Sequence, residues 1–475
     1  MTRKCCVFLL LAVCLAWPFT AYPESSRPQT VNLSLTEAMQ IAASENPAIL
    51  AAGFKVESSQ AGIRQARSGF LPRVDFVETY NRTTNPMWVF GAKLNQESIT
   101  TADFNPDLLN DPDAYDDFST ALTMSWPVFA GGKIYNRFRQ AETNALAEKL
   151  VLKRTRQEVI ARAAIAYVGM MLAGEQLKVV NQSIASARAN LKMVQAAYDS
   201  GLSVKSDLLR SQVTLADLEQ QRLQAESRVR TAQAGLNAAM GRPVETPLDL
   251  TSEFEKCCVL SGDIDHWTEI ALLHRYDLQR MNCMETMAEQ GVAISRADHF
   301  PSLRLMGSYD IHSEDFDDTA NSYTVGAVMS VNLFSGFGIS SGVSSARADL
   351  NNVRQMIRNM ELGIRVEIQS AFLEAQSALK RISVAGAALD QADEGLRIVK
   401  NRYQNGLLTI VGLLDAELAN QQAKMSYSKS LHDYKTAMIK LELAAGIIDE
   451  NSNYDDPARD PGKTASAMVE NKDGN

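Results

Sequence analysis

Almost none of the residues that ordinarily carry chemistry are grouped in this chain. The five histidines (His266, His274, His299, His312 and His432) are scattered singly, and a lone histidine far more often packs or faces solvent than ligates. Of six cysteines, Cys5, Cys6 and Cys14 sit at the extreme N-terminus, which leaves Cys257, Cys258 and Cys283. An odd number without ligand spacing excludes a disulfide framework and a zinc site, and leaves free thiols or a single bridge. There is no nucleophile elbow and no phosphate-cradling glycine loop. Gly336-Phe337-Gly338 comes nearest, but Ser341 stands where a third glycine belongs. The sequence therefore predicts no enzyme, no cofactor and no metal. A basic stripe is also missing: the net charge is −9, which argues against a nucleic-acid partner. With 26 glycines and 14 prolines in 475 residues, breakers are rare over long alanine-, leucine- and glutamine-rich reaches, and such reaches form long helices.

The N-terminus reads as an address. Met1-Thr2-Arg3-Lys4 is followed by an apolar run ending at Trp17, too short to span a membrane, and then by small residues near Thr20 and Ala21. This is the pattern of a secretory signal peptide over residues 1–21. Leu11-Ala12-Val13-Cys14 is similar to a lipoprotein cleavage box, except that Val13 is bulkier than the residue expected before the cysteine. At the other end, residues 447–475 read as an acidic, disordered tail. From Asp449 onward there are seven acids against three bases and no apolar period.

What the chain does contain is two versions of one pattern. Tyr198-Asp199-Ser200-Gly201-Leu202 returns 205 residues later as Tyr403-Gln404-Asn405-Gly406-Leu407. At the same offset Met124-Ser125 matches Met329-Ser330, Phe129 matches Phe334, Gly131 matches Gly336 and Gly241 matches Gly446. Upstream the offset becomes 229, where Ile41-Ala42 falls on Ile270-Ala271 and Arg67 on Arg296. The first copy thus holds 24 extra residues between Val74 and Met124, in a Pro-, Asn- and Asp-rich stretch over 85–117 with the composition of a long loop. The organisation read from this is a first repeat over 35–241, an equatorial connector over 242–265 and a second repeat over 266–446.

Within each copy the hydrophobic period names the pieces. Leu177, Val180, Ile184, Ala187, Leu191, Val194 and Tyr198 alternate steps of three and four, as do Ile382, Ala385, Leu389, Ala392, Leu396, Val399 and Tyr403. That spacing is a coiled-coil seam. The 70 residues from Gly131 to Gly201, repeated from Gly336 to Gly406, predict helices of roughly 100 Å at about 1.5 Å per residue. The returning helices are shorter. Stacked end to end, 203–241 with 266–296, and 409–445 with 35–68, would each match one long helix. The interruptions at 242–265 and after Gly446 should then form a belt at mid-height.

Four shorter segments change period from 3.6 to two. Phe118, Leu122, Met124, Trp126 and Val128 alternate with Ser119, Ala121, Thr123 and Ser125. Segments 303–311 and 323–333 behave alike, and 73–83 does so more weakly. An oily face, a small or polar face and interfacial aromatics such as Trp126 and Tyr323 are the pattern of outer-membrane barrel strands. A soluble sheet packing one face on a core is the other reading. Four strands cannot close a barrel, and open edges are not tolerated in hydrocarbon. Three chains would supply twelve.

The signal peptide, the two tandem copies of helix, hairpin and helix, and the turns of the form Tyr-x-x-Gly-Leu together resemble the outer-membrane efflux protein family typified by TolC. The resemblance covers residues 35–446. It implies a membrane α+β fold, a trimeric channel-tunnel. A 12-stranded outer-membrane β-barrel with four strands per protomer is continued there by a long periplasmic α-helical coiled-coil barrel. The implied function is a passive exit duct of a tripartite efflux or type I secretion system. Its implied partners are two further copies of itself, outer-membrane lipid, a periplasmic adaptor (membrane fusion) protein and, through the adaptor, an inner-membrane pump of RND or ABC type.

Gly201-Leu202 and Gly406-Leu407 match the family's hairpin-tip motif, which the adaptor contacts, although glycine there also serves simply to end a helix. Asp207, Tyr403 and Asp415 match positions that constrict the periplasmic aperture, although acids on a helix face are also ordinary solvated residues. Gly412 and Leu408 depart from the pattern, standing where the best-known member has a second ring acid and a latch arginine. The expected closing network is therefore thinner. The competing class is a non-conducting, elongated periplasmic coiled-coil scaffold, which would have no use for oily alternating strands.

Overall fold

The computed structural model describes residues 31–463, apart from Glu253 and Lys256. The signal peptide read over 1–21 and the end of the expected tail, 464–475, lie outside the described residues. Strand β1 (Val31–Leu33) precedes the first repeat, in which α1 (Leu35–Glu45) and α2 (Pro47–Ser68) lead into β2 (Arg73–Thr83). Next come α3 (Pro86–Asn95), α4 (Pro106–Asn110), β3 (Tyr115–Ala130), α5 (Lys133–Asp199) and α6 (Lys205–Met240). The connector carries β4 (Leu248–Leu250). The second repeat runs α7 (Ile264–His274), α8 (Tyr276–Ala297), β5 (Ser302–Ser313), β6 (Thr319–Ser330), α9 (Gly338–Gln404) and α10 (Ile410–Ala445).

Helix bounds follow the duplication to the residue. α9 and α10 begin and end 205 residues after α5 and α6, and α7 and α8 lie 229 residues after α1 and α2. α5 and α9 have 67 residues each, and α6 and α10 have 36. Neither long helix contains a proline, whose missing N–H would break the ladder. At about 1.5 Å per residue each extends roughly 100 Å.

The half-length helices depart from the sequence expectation in two ways. Each is broken once: Asn46 and Arg275 take extended backbone, splitting α1 from α2 and α7 from α8. In the first repeat the cause is local, because Pro47 opens α2 and the Asn46 side chain accepts from Ala48 N at 2.9 Å. The stacking partners also differ. The end of α6 abuts the α1–α2 break, and the end of α10 abuts the α7–α8 break, so the half-helices stack within a repeat and not across repeats. Gly241 and Gly446 cap α6 and α10 with left-handed φ of 84° and 75°. A Cβ on Gly241 would stand 2.9 Å from Asn46 Cα, and one on Gly446 would stand 3.1 Å from Arg275 Cα. Only glycine allows both the turn and that approach.

The sequence also suggests a long loop over 85–117, and the chain there instead forms α3 and α4. Both open with an Asn-Pro pair, Asn85 accepting from Met87 N and Asn105 from Asp107 N, each at 3.1 Å. The tail is a further correction. Residues 447–463 are not disordered but pack on α10 and the connector. Tyr454 is fully buried and donates to Glu442 Oε2 at 2.8 Å, while Arg459 reaches both oxygens of the buried Glu442 at 2.9 and 2.8 Å. Burial pushes the Glu442 carboxyl up, and the Arg459 guanidinium opposes it. Composition hides this anchor, since one tyrosine and one arginine supply it. Val259 N donates to Arg459 O at 2.8 Å, so the connector and the C-terminal segment meet. At this level the largest apolar cluster gathers the fully buried Tyr167, Trp267, Tyr434 and Tyr454. Cys257, Cys258 and Cys283 are buried free thiols.

The four strands form one antiparallel sheet in the order β2-β3-β5-β6, leaving β2 and β6 as open edges. Phe76 stands opposite Leu122, Leu122 opposite Tyr309, and Tyr309 opposite Tyr323, so all four share a face. All four are exposed, as are Trp126, Val325 and Met329 on the same face. Glu78 interrupts that face on the edge strand and accepts from Thr120 Oγ1 at 2.5 Å. Among the described residues no helix covers the oily side, as a soluble sheet would require.

Candidate functional site at the hairpin tips

The turn from α5 to α6 and the turn from α9 to α10 share one geometry. Leu202 N donates to Ala197 O at 2.8 Å and Gly201 N to Tyr198 O at 2.9 Å. Leu407 N donates to Arg402 O at 2.9 Å and Gly406 N to Tyr403 O at 3.0 Å. Both are Schellman closures, which satisfy the last helix carbonyls and need a left-handed residue. Gly201 and Gly406 provide it with φ of 75° and 72°. Nothing lies within 4 Å of where a Cβ would stand on either, so conformation and not crowding selects glycine. The residues after them face outward: Leu202 is 85% exposed and Leu407 73%. An isolated exposed leucine is unremarkable. Two at equivalent tips form a repeated apolar knob.

Just above the tips the predicted seam closes. Val194, Leu208, Ile410 and Leu413 are buried together, with Leu191, Leu396, Val399 and Tyr403 packed against them. Tyr403 and Asp207 come together here: burial first, and the Asp207 charge second, push the Tyr403 phenol up. Ser203 Oγ donates to Asp207 Oδ2 at 3.4 Å. Asp415 is placed elsewhere. It is exposed and lines a groove of about 380 Å³ between α5, α6, α9 and α10, together with Arg210, Asp217, Glu417 and Lys424.

Sequence reasoning missed Arg210. Asp415 and Arg210 are equivalent positions at the 205-residue offset, so aligning the repeats residue by residue would have shown opposite charges at one site. It also missed a polar layer farther up the bundle. Asn190 Nδ2 donates to Glu417 Oε1 at 2.6 Å, Asn420 Nδ2 to Asp393 Oδ1 at 2.5 Å, and Gln421 Nε2 to Gln221 Oε1 at 2.9 Å. Burial pushes the Glu417 carboxyl up. Polar pairs inside a coiled-coil seam fix its register at some cost in stability. Among the described residues no group of histidine, cysteine or acidic side chains could hold a metal.

Comparison with known proteins follows the same outline. The sequence pattern of the outer membrane efflux protein family matches residues 38–242 and 267–447. The chain is 24% identical over 445 residues to the alkaline protease secretion protein AprF of Pseudomonas aeruginosa, covering 92% of this chain and 89% of AprF. It is 20% identical over 432 residues to the outer membrane protein TolC of Vibrio cholerae, covering 89% and 92%. The CmeC outer membrane channel of Campylobacter jejuni superposes with a TM-score of 0.72 at 17% identity, over 92% of this chain and 89% of CmeC. Helical hairpins this long, fused to an oily four-stranded sheet, define an outer-membrane channel protein. The chain belongs to the outer membrane efflux protein family. It is an exit duct, with its strands in the outer membrane and its helices in the periplasm.

Proposed function

We propose that three copies of this chain form the duct, their twelve strands closing a barrel and their helices closing a hollow cylinder. The observation that carries this reading is the sheet, with two open edges and an exposed oily face in one chain. Each unpaired backbone group in hydrocarbon costs several kcal/mol. Joining β6 of one copy to β2 of the next satisfies both edges without refolding either. A periplasmic scaffold would need neither edge nor face.

In this reading Leu202 and Leu407, set outward by Gly201 and Gly406, dock a periplasmic adaptor that links the duct to an inner-membrane pump. Asp207 and Tyr403 narrow the periplasmic aperture, and Asp415 contributes its charge from the adjoining groove. The cargo is a polypeptide. Supporting this, AprF is named for protease secretion and is similar along nearly the whole chain.

Two experiments test the reading. Detergent-extracted protein runs as a trimer by native mass spectrometry; a monodisperse, water-soluble monomer would remove both barrel and duct. Deletion of the gene alters the secreted proteome and leaves susceptibility to toxic compounds unchanged. The opposite pattern would replace the polypeptide cargo with small molecules.

A further inference from the structure

The two repeats differ most where the first hairpin turns. β5 passes to β6 through residues 314–318, whereas β2 passes to β3 through α3, a short turn at Thr101–Phe104 and α4. This insert sits at the end of the sheet away from the long helices, beyond the paired residues Thr83 and Tyr115. It does not stand clear of the sheet. α3 touches β3 and also β6, and β5 lies between those two strands. The helix therefore crosses the sheet.

The face it crosses is the small and polar one. Gln96, which ends α3, donates through Nε2 to Asp117 Oδ1 at 2.9 Å, and Nδ1 of His312 lies 3.1 Å from the same oxygen. Asp117 alternates with outward-facing Phe118 and so shares its side with Ser119, Ala121 and Thr123. His312 pairs with Ala320, which is the one buried residue of the mostly exposed β6. Within the insert Val89 and Ala92 are buried, Phe90 meets Phe104 edge-on at 5.9 Å between centroids, and Lys93 Nζ lies 2.7 Å from Asp103 Oδ1. The insert is a small packed unit fastened to the sheet.

We propose that this unit is an outer constriction of the duct, laid by each chain across the distal end of the lumen. The inference rests on the trimeric reading above, under which the polar face of the sheet becomes the lumen wall. A helix crossing that wall subtracts from the open section, and Met87 and Trp88 on its first turn are exposed. The second repeat shows that a hairpin of this sheet closes without any insert, so pairing of β2 with β3 does not require it. The duct then has two narrow places, one at the periplasmic tips and one at the outer mouth. Cargo must displace α3 to leave.

Single-channel conductance in planar bilayers tests this with two variants. In one, residues 84–114 are replaced by a copy of residues 314–318. In the other, Val89→Asp puts a charge at a buried position of α3 and is expected to unpack the insert while leaving every strand residue unchanged. Both variants, recovered as trimers, are expected to conduct severalfold better than the wild type. Unchanged conductance in both trimeric variants overturns the constriction and leaves the duct standing. Wild-type protein that forms no channel at all overturns the duct reading itself, and the constriction with it.

Discussion

Asn46 and Arg275 occupy one position of the two repeats, and each donates a side-chain hydrogen bond to an equivalent carbonyl. Asn46 Nδ2 reaches Ala239 O at 2.8 Å, and Arg275 Nη1 reaches Ala444 O at 3.2 Å. Different side chains thus make the same joint between stacked half-helices. Arg275 adds a buried charge, paired with Asp277 at 2.7 Å and Glu367 at 2.5 Å. Removing one partner of a fully buried ion pair costs about 3–5 kcal/mol. With the Asp277 and Glu367 side chains 25% and 46% exposed the cost is smaller, but three contacts of a charged group still exceed the roughly 1 kcal/mol of one neutral hydrogen bond. Arg275→Ala should therefore lower the helical melting temperature in detergent more than Asn46→Ala. An equal or reversed order would contradict the assignment of the joint.

The same joint makes stability depend on pH. Burial pushes the Asp277 carboxyl up, but the hydrogen bond and charge of Arg275, with the charge of Arg154 and the Leu278 N–H, together outweigh it and hold the group below its usual value of 3.8. A depressed folded value means that the pair's contribution is present above about pH 4 and is lost as pH falls through the folded value. Melting temperature should therefore drop more steeply below pH 4 in the wild type than in Asp277→Asn. Parallel acid limbs would show that the pair adds nothing.

Packing above the tips gives a graded test. Val194 has no exposed surface, and Leu191 lies at the edge of the same cluster. An unpaired charge is expelled from such a site or unfolds it. Val194→Asp should open the periplasmic hairpins to protease, with Leu191→Asp a milder version. Protection equal to that of the wild type in both would remove the seam.

At the tips the expectation is the reverse. Leu202 and Leu407 touch little, so Leu202→Ser with Leu407→Ser should leave melting and trimer yield unchanged, within about 0.5 kcal/mol. Export in cells should fall sharply. Normal export by this double variant would show that the knobs do not meet an adaptor.

Arg210 and Asp415 are two of the five charged side chains that line the groove, with Asp217, Glu417 and Lys424. Asp415→Asn should lower cation selectivity in planar bilayers and relieve block by multivalent cations, while Arg210→Ala should do the opposite. Identical selectivity in all three proteins would mean that the groove lies off the ion path.

How far the chain could be read beforehand depended on whether a feature is written along it or across it. The offsets, the Val194 seam and the alternation around Trp126 are periodicities, visible without a fold. The stacking of α6 on the α1–α2 break is not. It turns on Gly241, whose left-handed cap diverts the chain away from the helix that follows in sequence. The anchor of the C-terminal segment was equally hidden, because a few residues, Tyr454 and Arg459 among them, outweigh an acidic composition once they reach Glu442. Asp207 and Tyr403, almost two hundred residues apart along the chain, meet in space. Asp415 lies apart from them in the groove that Arg210 also lines, and Arg210 is invisible beforehand because an arginine on a helix face carries no signal alone.

The equal lengths of α5 and α9 have a consequence for how this chain can vary. Deleting one residue from α5 alone would raise its tip by about 1.5 Å relative to the other and swing the end of the helix by roughly 100°, carrying Val194 off its partners. The change could be absorbed only by a matching deletion in α6. Side chains are free to drift between the copies, as Asn46 and Arg275 show, but helix length is not. Insertions can accumulate where the ladder is already interrupted, as at the β2–β3 turn and the connector. The two copies thus keep a common measure long after their letters have parted.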